Sequence, residues 1–206
     1  MTPRGAEMVA RGLGILVRPG RTWARIAADP SAPRALLLGY AAPLALVPGA
    51  CGVAGGLMFG FGIADVGVRM SPTGIVLSAV AGYMATLAAV VILSGLVALI
   101  APRFGGEGGW PEATNLVVYA ATASWLGGLA RLVPGLELPV VILAGLYSLY
   151  ALYLGLLSVM RIPQDRALTA FAVILIFTLA LAFARAMLAD WAAEAGGPLA
   201  VPYAPR

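Results

Sequence analysis

The sequence contains no histidine and no lysine, a single cysteine and few charged residues of either sign. Without histidine it lacks the most common metal ligand and the most common general base of proteins. The one cysteine, Cys51, excludes an intramolecular disulfide, and the sequence assigns it no role. Charged residues make up 11% of the chain, whereas soluble domains carry about 25%. These absences argue against a soluble domain and against a metal site.

Five long stretches carry no charge at all, in a chain that is 61% hydrophobic. A helix needs about 20 apolar residues to cross about 30 Å of hydrocarbon, and each stretch is about that long or longer. None shows the polar–apolar alternation of a membrane β-strand. The sequence therefore predicts an all-α integral membrane protein with five transmembrane helices, in a membrane domain of residues 35–189. The predicted spans are about residues 35–63, 73–101, 113–133, 138–160 and 167–189.

The arginines are distributed unequally between the two sides of this layout. Nine fall on the side of the N-terminus and four on the other side. Because cytoplasmic segments carry the excess of arginine, we expect a cytoplasmic N-terminus and an outer C-terminal tail, residues 190–206. The arginine-only, alanine- and glycine-rich composition suggests a GC-rich bacterial genome, so the expected location is the bacterial inner (plasma) membrane. Residues 1–34 lack the apolar region and cleavage site of a signal peptide.

Residues 1–34 form a basic, amphipathic segment ahead of the first predicted span. Arginines recur there every seven residues, and apolar side chains fall on the opposite face of a helix. This pattern predicts a helix lying in the membrane interface, with its apolar face in the lipid boundary and its arginines near anionic head groups. The alternative is a solvated tail whose arginines only set the topology. The candidate lipid-interface residues are Arg4, Arg11, Arg18, Arg21, Trp23 and Arg25.

Glycines at four-residue spacing mark the first predicted span. Gly52, Gly56 and Gly60 would share one helix face, where missing side chains let another backbone approach closely. The alternative is simple abundance, since the chain has 26 glycines. We expect these glycines to pack against a helix of the same chain or of a second copy in a homo-oligomer. Pro43 and Pro48 either break this span, as in transporters, or kink it, and we expect kinks.

Polar side chains are concentrated on the third and fourth predicted spans. Asn115 and Tyr119 lie on the third, and Tyr147, Tyr150 and Tyr153 step by three along the fourth. These five residues could line a polar groove for a ligand. The alternative is that the tyrosines pack or form an interface belt, with each hydroxyl bonded to a backbone group.

Several motifs, taken in order, resemble the bacterial branch of the Yip family, which carries a Ypt-interacting-protein domain. The stretch of residues 18–27 resembles that family's arginine–proline–aromatic motif, residues 104–120 its glycine-rich loop and following helix, and residues 147–156 its fourth span. The resemblance covers about residues 13–185 and implies five spans with a cytoplasmic N-terminus. It implies no catalytic residues. Family members often carry a proline where this chain reads Ala123-Ser124-Trp125, so we expect an unkinked third span.

The predicted spans offer no chemistry for catalysis. Their cores contain no acidic or basic residue, and their serines lie outside any nucleophile motif. We therefore expect a non-enzymatic protein with no cofactor and no metal. The leading hypothesis is an adaptor or organiser that binds membrane lipids and an unidentified protein partner, but no nucleic acid, through its arginine-rich cytoplasmic face. The alternative is a small channel or carrier for a neutral or lipidic solute, which would need a cavity that reaches the midplane.

Overall fold

The computed structural model describes residues 3–59, 61–63, 66–69, 71–196 and 201–203, and most of them are helical. A π turn at Leu37–Ala41 joins α3 to α4, and 3₁₀ turns at Ala101–Phe104 and Gly128–Leu132 extend α5 and α7. The α-helices are α1 (Pro3–Val17), α2 (Pro19–Ala28), α3 (Pro33–Leu36), α4 (Ala42–Phe59), α5 (Pro72–Ile100), α6 (Trp110–Ala120), α7 (Thr122–Gly127), α8 (Glu137–Ser158) and α9 (Gln164–Ala195).

Four helical stretches among these residues are long and apolar enough to cross a membrane. Between 17% and 33% of the most apolar window of each is buried within the chain, so their remaining faces are apolar and exposed, as lipid requires. The protein is therefore a multi-spanning helical membrane protein. The four stretches are Pro33–Phe59, Pro72–Phe104, Glu137–Ser158 and Gln164–Ala195, which fall on the first, second, fourth and fifth predicted spans.

The predicted third span, residues 113–133, is helical but broken. A turn at Ala121 separates α6 from α7, and the 3₁₀ turn follows α7 directly. The backbone N–H of Ser124, which would continue the helix by bonding Ala120, instead donates to Oγ of Ser148 on α8 at 3.1 Å. Oγ of Ser124 donates to the same oxygen at 2.8 Å. The prediction of an unkinked third span is wrong, because a side chain from another helix interrupts the hydrogen-bond ladder without any proline.

The broken third segment lies in the centre of the bundle. Every residue of α6 from Ala113 to Ala120 is buried, and α6 packs against α5, α8, α3 and α1. A helix that is apolar almost all round is stable only when other elements surround it.

The first span also departs from a regular helix. Pro43 lacks the N–H that would bond Gly39, and the preceding turn widens to a π turn.

A small antiparallel sheet lies beyond the ends of the helices. β1 (Phe61–Ile63) pairs with β2 (Val66–Arg69), and β2 pairs with β3 (Val201–Tyr203). The predicted first span included residues 61–63, which are in β1, and α9 continues to Ala195, beyond the predicted end of the fifth span at residue 189. The sheet connects the segment between the first two spans with the C-terminal tail.

Two loops meet on one side of the bundle, which we call the loop side. Gly105, after α5, has φ +77°, a conformation that favours glycine. A β-carbon on Gly106 would lie 2.9 Å from the carbonyl oxygens of both Ala101 and Met160. The N–H of Glu107 donates to the carbonyl of Met160 at 2.8 Å. The glycine-rich loop is therefore held against the loop that follows α8.

At the opposite side, the end of the first span packs against the end of the third segment. A β-carbon on Gly55 would overlap the backbone carbonyl oxygen of Arg131, and one on Gly52 would lie 3.1 Å from Nη1 of Arg131. That Nη1 donates to the carbonyl of Pro48 at 2.9 Å. The contact is within the chain. Gly55, which the prediction omitted, makes the closest approach; Gly56 is buried and Gly60 lies outside the described residues.

Replacing Gly55 with alanine should destabilise the protein, because its β-carbon would collide with a backbone atom that has little freedom to move. Overpacking of this kind costs about 1–3 kcal/mol. The matched control is Gly145→Ala on α8, where a β-carbon meets nothing within 4 Å and gains helix propensity. Thermal unfolding in detergent should show a lower midpoint for Gly55→Ala only. Equal midpoints for both variants would contradict the contact.

Candidate functional site

The two N-terminal helices fold back on each other and dock against the bundle. A β-carbon on Gly14 of α1 would lie 2.7 Å from Oγ1 of Thr22 on α2, and Arg11 of α1 bonds to Asp29 at the end of α2, so the helices run antiparallel. We call α1 and α2 the N-terminal hairpin. Trp23 of α2 is fully buried, and a β-carbon on Gly155 of α8 would lie 3.1 Å from its indole ring. A β-carbon on Gly12 of α1 would overlap the hydroxyl of Tyr40.

Arg11 is buried at the open end of the hairpin, with its side chain 4% exposed. Nη1 donates to the carbonyl of Asp29 at 2.6 Å, and Nη2 donates to Oδ2 of Asp29 at 2.8 Å and to the carboxylate of Glu7. Burial lowers the pKa of Arg11, but its hydrogen bonds to Asp29 and Glu7 raise it, and the pKa is raised on balance. The guanidinium therefore stays charged and ties α1 to the end of α2.

Asn115 of α6 joins the hairpin to the central helix. Its side chain is fully buried, and its Oδ1 accepts the backbone N–H of Ser31 at 3.0 Å. Its Nδ2 donates to the carbonyl of Ser31 and to that of Pro111, both at 2.8 Å. One amide thus satisfies both backbone groups of Ser31, just after the hairpin. Unsatisfied, each group would cost about 1–3 kcal/mol.

The tip of the hairpin reaches the fourth span. The last carbonyls of a helix have no partner within the helix. The hydroxyl of Tyr147 donates to the carbonyls of Ile15 and Leu16 at 2.8 and 3.0 Å and thereby caps the end of α1. Tyr147 lies near the middle of α8 (Glu137–Ser158). The hairpin therefore extends from the loop side to about halfway along the membrane helix.

Two predicted lipid-interface residues face the protein instead. Arg11 and Trp23 are buried, so predicting lipid contact for them is wrong. Arg11 turns inward because Asp29 and Glu7 neutralise it there, and Trp23 fills the space beside Gly155. The remaining candidates differ in their environment. Arg18, Arg21 and Arg25 are exposed, whereas the structure does not describe the side chain of Arg4.

The exposed face of α1 is apolar. Val9, Leu13 and Val17, spaced by four residues, are 38%, 54% and 77% exposed. We predicted an apolar face in the lipid boundary and arginines near head groups; α1 exposes these aliphatic side chains but turns its Arg11 inward. An exposed aliphatic stripe on a helix that reaches the middle of α8 is typical of a surface in contact with lipid tails.

The five residues of the predicted polar groove do not form a single groove. Asn115 and Tyr119 face the N-terminal hairpin, Tyr147 caps α1, Tyr150 is 51% exposed, and Tyr153 packs edge-on against Phe171 at 5.6 Å between ring centres. The prediction of a polar groove is therefore wrong, because each hydroxyl or ring has its own surroundings. A different groove of about 310 Å³ is open at the surface and almost entirely apolar. It is lined by Leu16, Ala123, Val140, Leu143, Ala144 and Tyr147.

The sequence matches a known protein family. Residues 13–186 match the Yip1 domain. The chain belongs to the Yip1 domain family. No curated protein and no solved structure matches it. The resemblance to the Yip family is confirmed. The Yip1 region runs from within α1 to within α9, so it contains the docked α2, the central segment and both packed loops.

Replacing Asn115 with leucine should weaken docking of the hairpin, because both backbone groups of Ser31 would lose their partner. We expect a lower thermal midpoint in detergent and faster trypsin cleavage after Arg21 and Arg25. The control is Thr114→Val, which is nearly isosteric and removes only a bond to Trp110 within the same helix. Cleavage at the wild-type rate in Asn115→Leu would show that the clamp does not hold the hairpin.

Replacing Tyr147 with phenylalanine should loosen the hairpin tip, because the carbonyls of Ile15 and Leu16 would lose their cap. A hydrogen bond of this kind contributes about 1 kcal/mol. Amide hydrogen exchange across residues 12–18 should accelerate about fivefold. Tyr150→Phe, on the same helix but half exposed, should leave exchange unchanged. Identical exchange in the two variants would rule out the cap.

Proposed function

We propose that this Yip1-domain protein is a non-enzymatic organiser of the bacterial inner membrane, which binds anionic surfaces of partner proteins and lipids. One observation carries the proposal: along α2 and toward the loop side, a set of exposed arginines makes no salt bridge with any other described residue. Unpaired surface cations attract anionic partners over about a Debye length. The set, which we call the basic face, is Arg18, Arg21, Arg25, Arg34 and Arg103.

The packing supports one common side for Arg25, Arg34 and Arg103, whereas Arg18 and Arg21 continue the set toward the hairpin tip. Arg103 belongs to the turn that leads into the glycine-rich loop, and Arg34 lies at the start of the first span. The hairpin base is tied to Asn115, near the start of α6 at the same loop side. The arginine excess assigns this side to the cytoplasm, with the C-terminus outside.

We also propose that the broken third segment crosses the membrane, which gives five spans. Its support is the position of the two ends. α6 begins next to the glycine-rich loop, and the 3₁₀ turn ends near Arg131, which packs against Gly52 and Gly55 near the other end of the first span. The segment therefore runs through the depth of the bundle, shielded by its neighbours where its helix is interrupted.

A carrier for a lipidic solute is the second candidate, and the apolar groove beside Tyr147 is the observation that favours it. A carrier must move its solute between the two leaflets, whereas an organiser only holds partners at one face. Transfer of a fluorescent phospholipid across the bilayer of proteoliposomes separates these functions. We expect the phospholipid to cross the proteoliposome bilayer no faster than it crosses protein-free vesicles. A transfer rate that rises with protein content would favour the carrier.

Cysteine accessibility tests the five-span topology. In a Cys51→Ser background, Leu136→Cys, between the third segment and α8, should react with an impermeant maleimide in intact cells. Glu107→Cys, in the glycine-rich loop, should react only after lysis. Both positions are exposed, so accessibility within the fold is matched. Equal behaviour of the two cysteines would contradict a third crossing.

Vesicle binding tests the basic face. The full chain in nanodiscs of phosphatidylcholine should bind vesicles that contain phosphatidylglycerol, and added salt should weaken the binding. The triple variant Arg25→Gln, Arg34→Gln and Arg103→Gln should bind much less, at about 1 kcal/mol per arginine. Arg185→Gln, an exposed arginine on α9 outside the set, is the control. Undiminished binding by the triple variant would contradict the proposal.

A further inference from the structure

We infer that the tip of the N-terminal hairpin and the apolar groove beside it bind one anionic phospholipid. Its phosphate would lie against Arg18, Arg21 and the free amides at the start of α2, and an acyl chain would lie in the groove. The inference rests on the proposed function, because it assigns a ligand to one part of the basic face.

The depth of the hairpin tip follows from its contact with α8. The end of α1 is capped by Tyr147, near the middle of α8. At about 1.5 Å per residue, this point lies roughly 15 Å from either end of that helix. The apolar stripe of Val9, Leu13 and Val17 is exposed along the same path. The tip therefore lies in the apolar layer and below the plane of the surrounding head groups.

The two helix ends at the tip differ in their capping. The carbonyls that end α1 are capped by a tyrosine, whereas no side chain caps the amides that begin α2. Pro19 has no N–H, and Thr22 is the first residue whose N–H bonds back, to Arg18. The N–H groups of Gly20 and Arg21 are thus without a partner in the helix. A helix N-terminus in an apolar setting favours an anion.

Exposed arginines lie close in sequence to these amides. Arg18 and Arg21 are exposed and unpaired among the described residues, and Arg25 follows one turn later toward the hairpin base. A charged arginine within a bilayer draws water and head groups inward, and the membrane thins locally. The three arginines form a line that leads from the cytoplasmic side to the tip. A phosphate group complements the cations and the free amides together.

The apolar groove lies beside the end of α1. Leu16, two residues before Arg18, forms one wall, and Val140, Leu143 and Ala144 of α8 form the other. The groove is open at its side and nearly without polar surface. In the membrane, a lipid tail is the molecule that meets such an opening. A ligand with one anionic group and one long apolar chain fits both parts, whereas free phosphate fits only the tip.

The test is titration of phosphatidylglycerol into the delipidated full chain in neutral detergent, with bound lipid counted by native mass spectrometry. Wild type should bind one lipid tightly, and glycerol phosphate at the same concentration should not displace it. Arg18→Gln with Arg21→Gln should weaken binding roughly 30-fold, at about 1 kcal/mol per arginine. Leu143→Trp, at a position 66% exposed, should obstruct the groove and abolish the tight site.

Two matched controls decide between the site and the basic face as a whole. Leu146→Trp changes an α8 residue that is 59% exposed and outside the groove, and it should bind like wild type. Arg34→Gln with Arg103→Gln removes the same charge elsewhere on the basic face and should also retain the tight site. If both arginine pairs weaken binding equally, or if Leu143→Trp binds like wild type, the site is refuted while the basic face stands. Displacement by glycerol phosphate would also overturn it.

Discussion

The structure depends on one constraint, which is that polar groups inside an apolar layer must find their partners within the protein. The central helix carries Asn115, whose side-chain amide forms hydrogen bonds with the backbone N–H and carbonyl of Ser31. The same constraint explains Arg11, whose charge is matched by Asp29 and Glu7, and the end of α1, whose carbonyls bond to Tyr147. The bonds of Asn115 and Tyr147 join the hairpin and the residue after it to the bundle, and those of Arg11 hold α1 to the end of α2. The hairpin is therefore packed against the helical bundle.

The broken third segment follows from the same physics. In the five-span arrangement that we propose, the turn lies in mid-membrane, where it is tolerated only when neighbouring helices satisfy the freed backbone groups and cover the break. Ser148 supplies a hydrogen bond at the break, and Tyr40 bonds to Thr122 at 2.9 Å just beyond it. Glycines at Gly52 and Gly55 let the far end of the segment approach the first span. This packing explains why a chain rich in small residues forms a dense bundle.

Charge-free stretches predicted four of the long helices well, because hydrophobic length is a local property of the sequence. The break at Ala121 escaped prediction, since a serine on a distant helix causes it. Amphipathic spacing predicted that α1 and α2 are helices and that an apolar face meets lipid, but not that Arg11 and Trp23 turn inward. Asp29 and Glu7 were the missed signals, because an arginine with two nearby carboxylates can be buried. The tyrosines share a spacing in sequence, yet each meets different neighbours in space.

The central claim is that the N-terminal hairpin is inserted among the membrane helices, and the depth of its tip tests this most directly. A nitroxide at Val17, which is 77% exposed, can be attached through a cysteine in a Cys51→Ser background in lipid bilayers. A second nitroxide at Ala32, which is exposed just after the hairpin base, serves as the reference. We predict frequent collisions with oxygen and few with a water-soluble nickel chelate at Val17, and the reverse at Ala32. Frequent nickel collisions at Val17 would contradict the account.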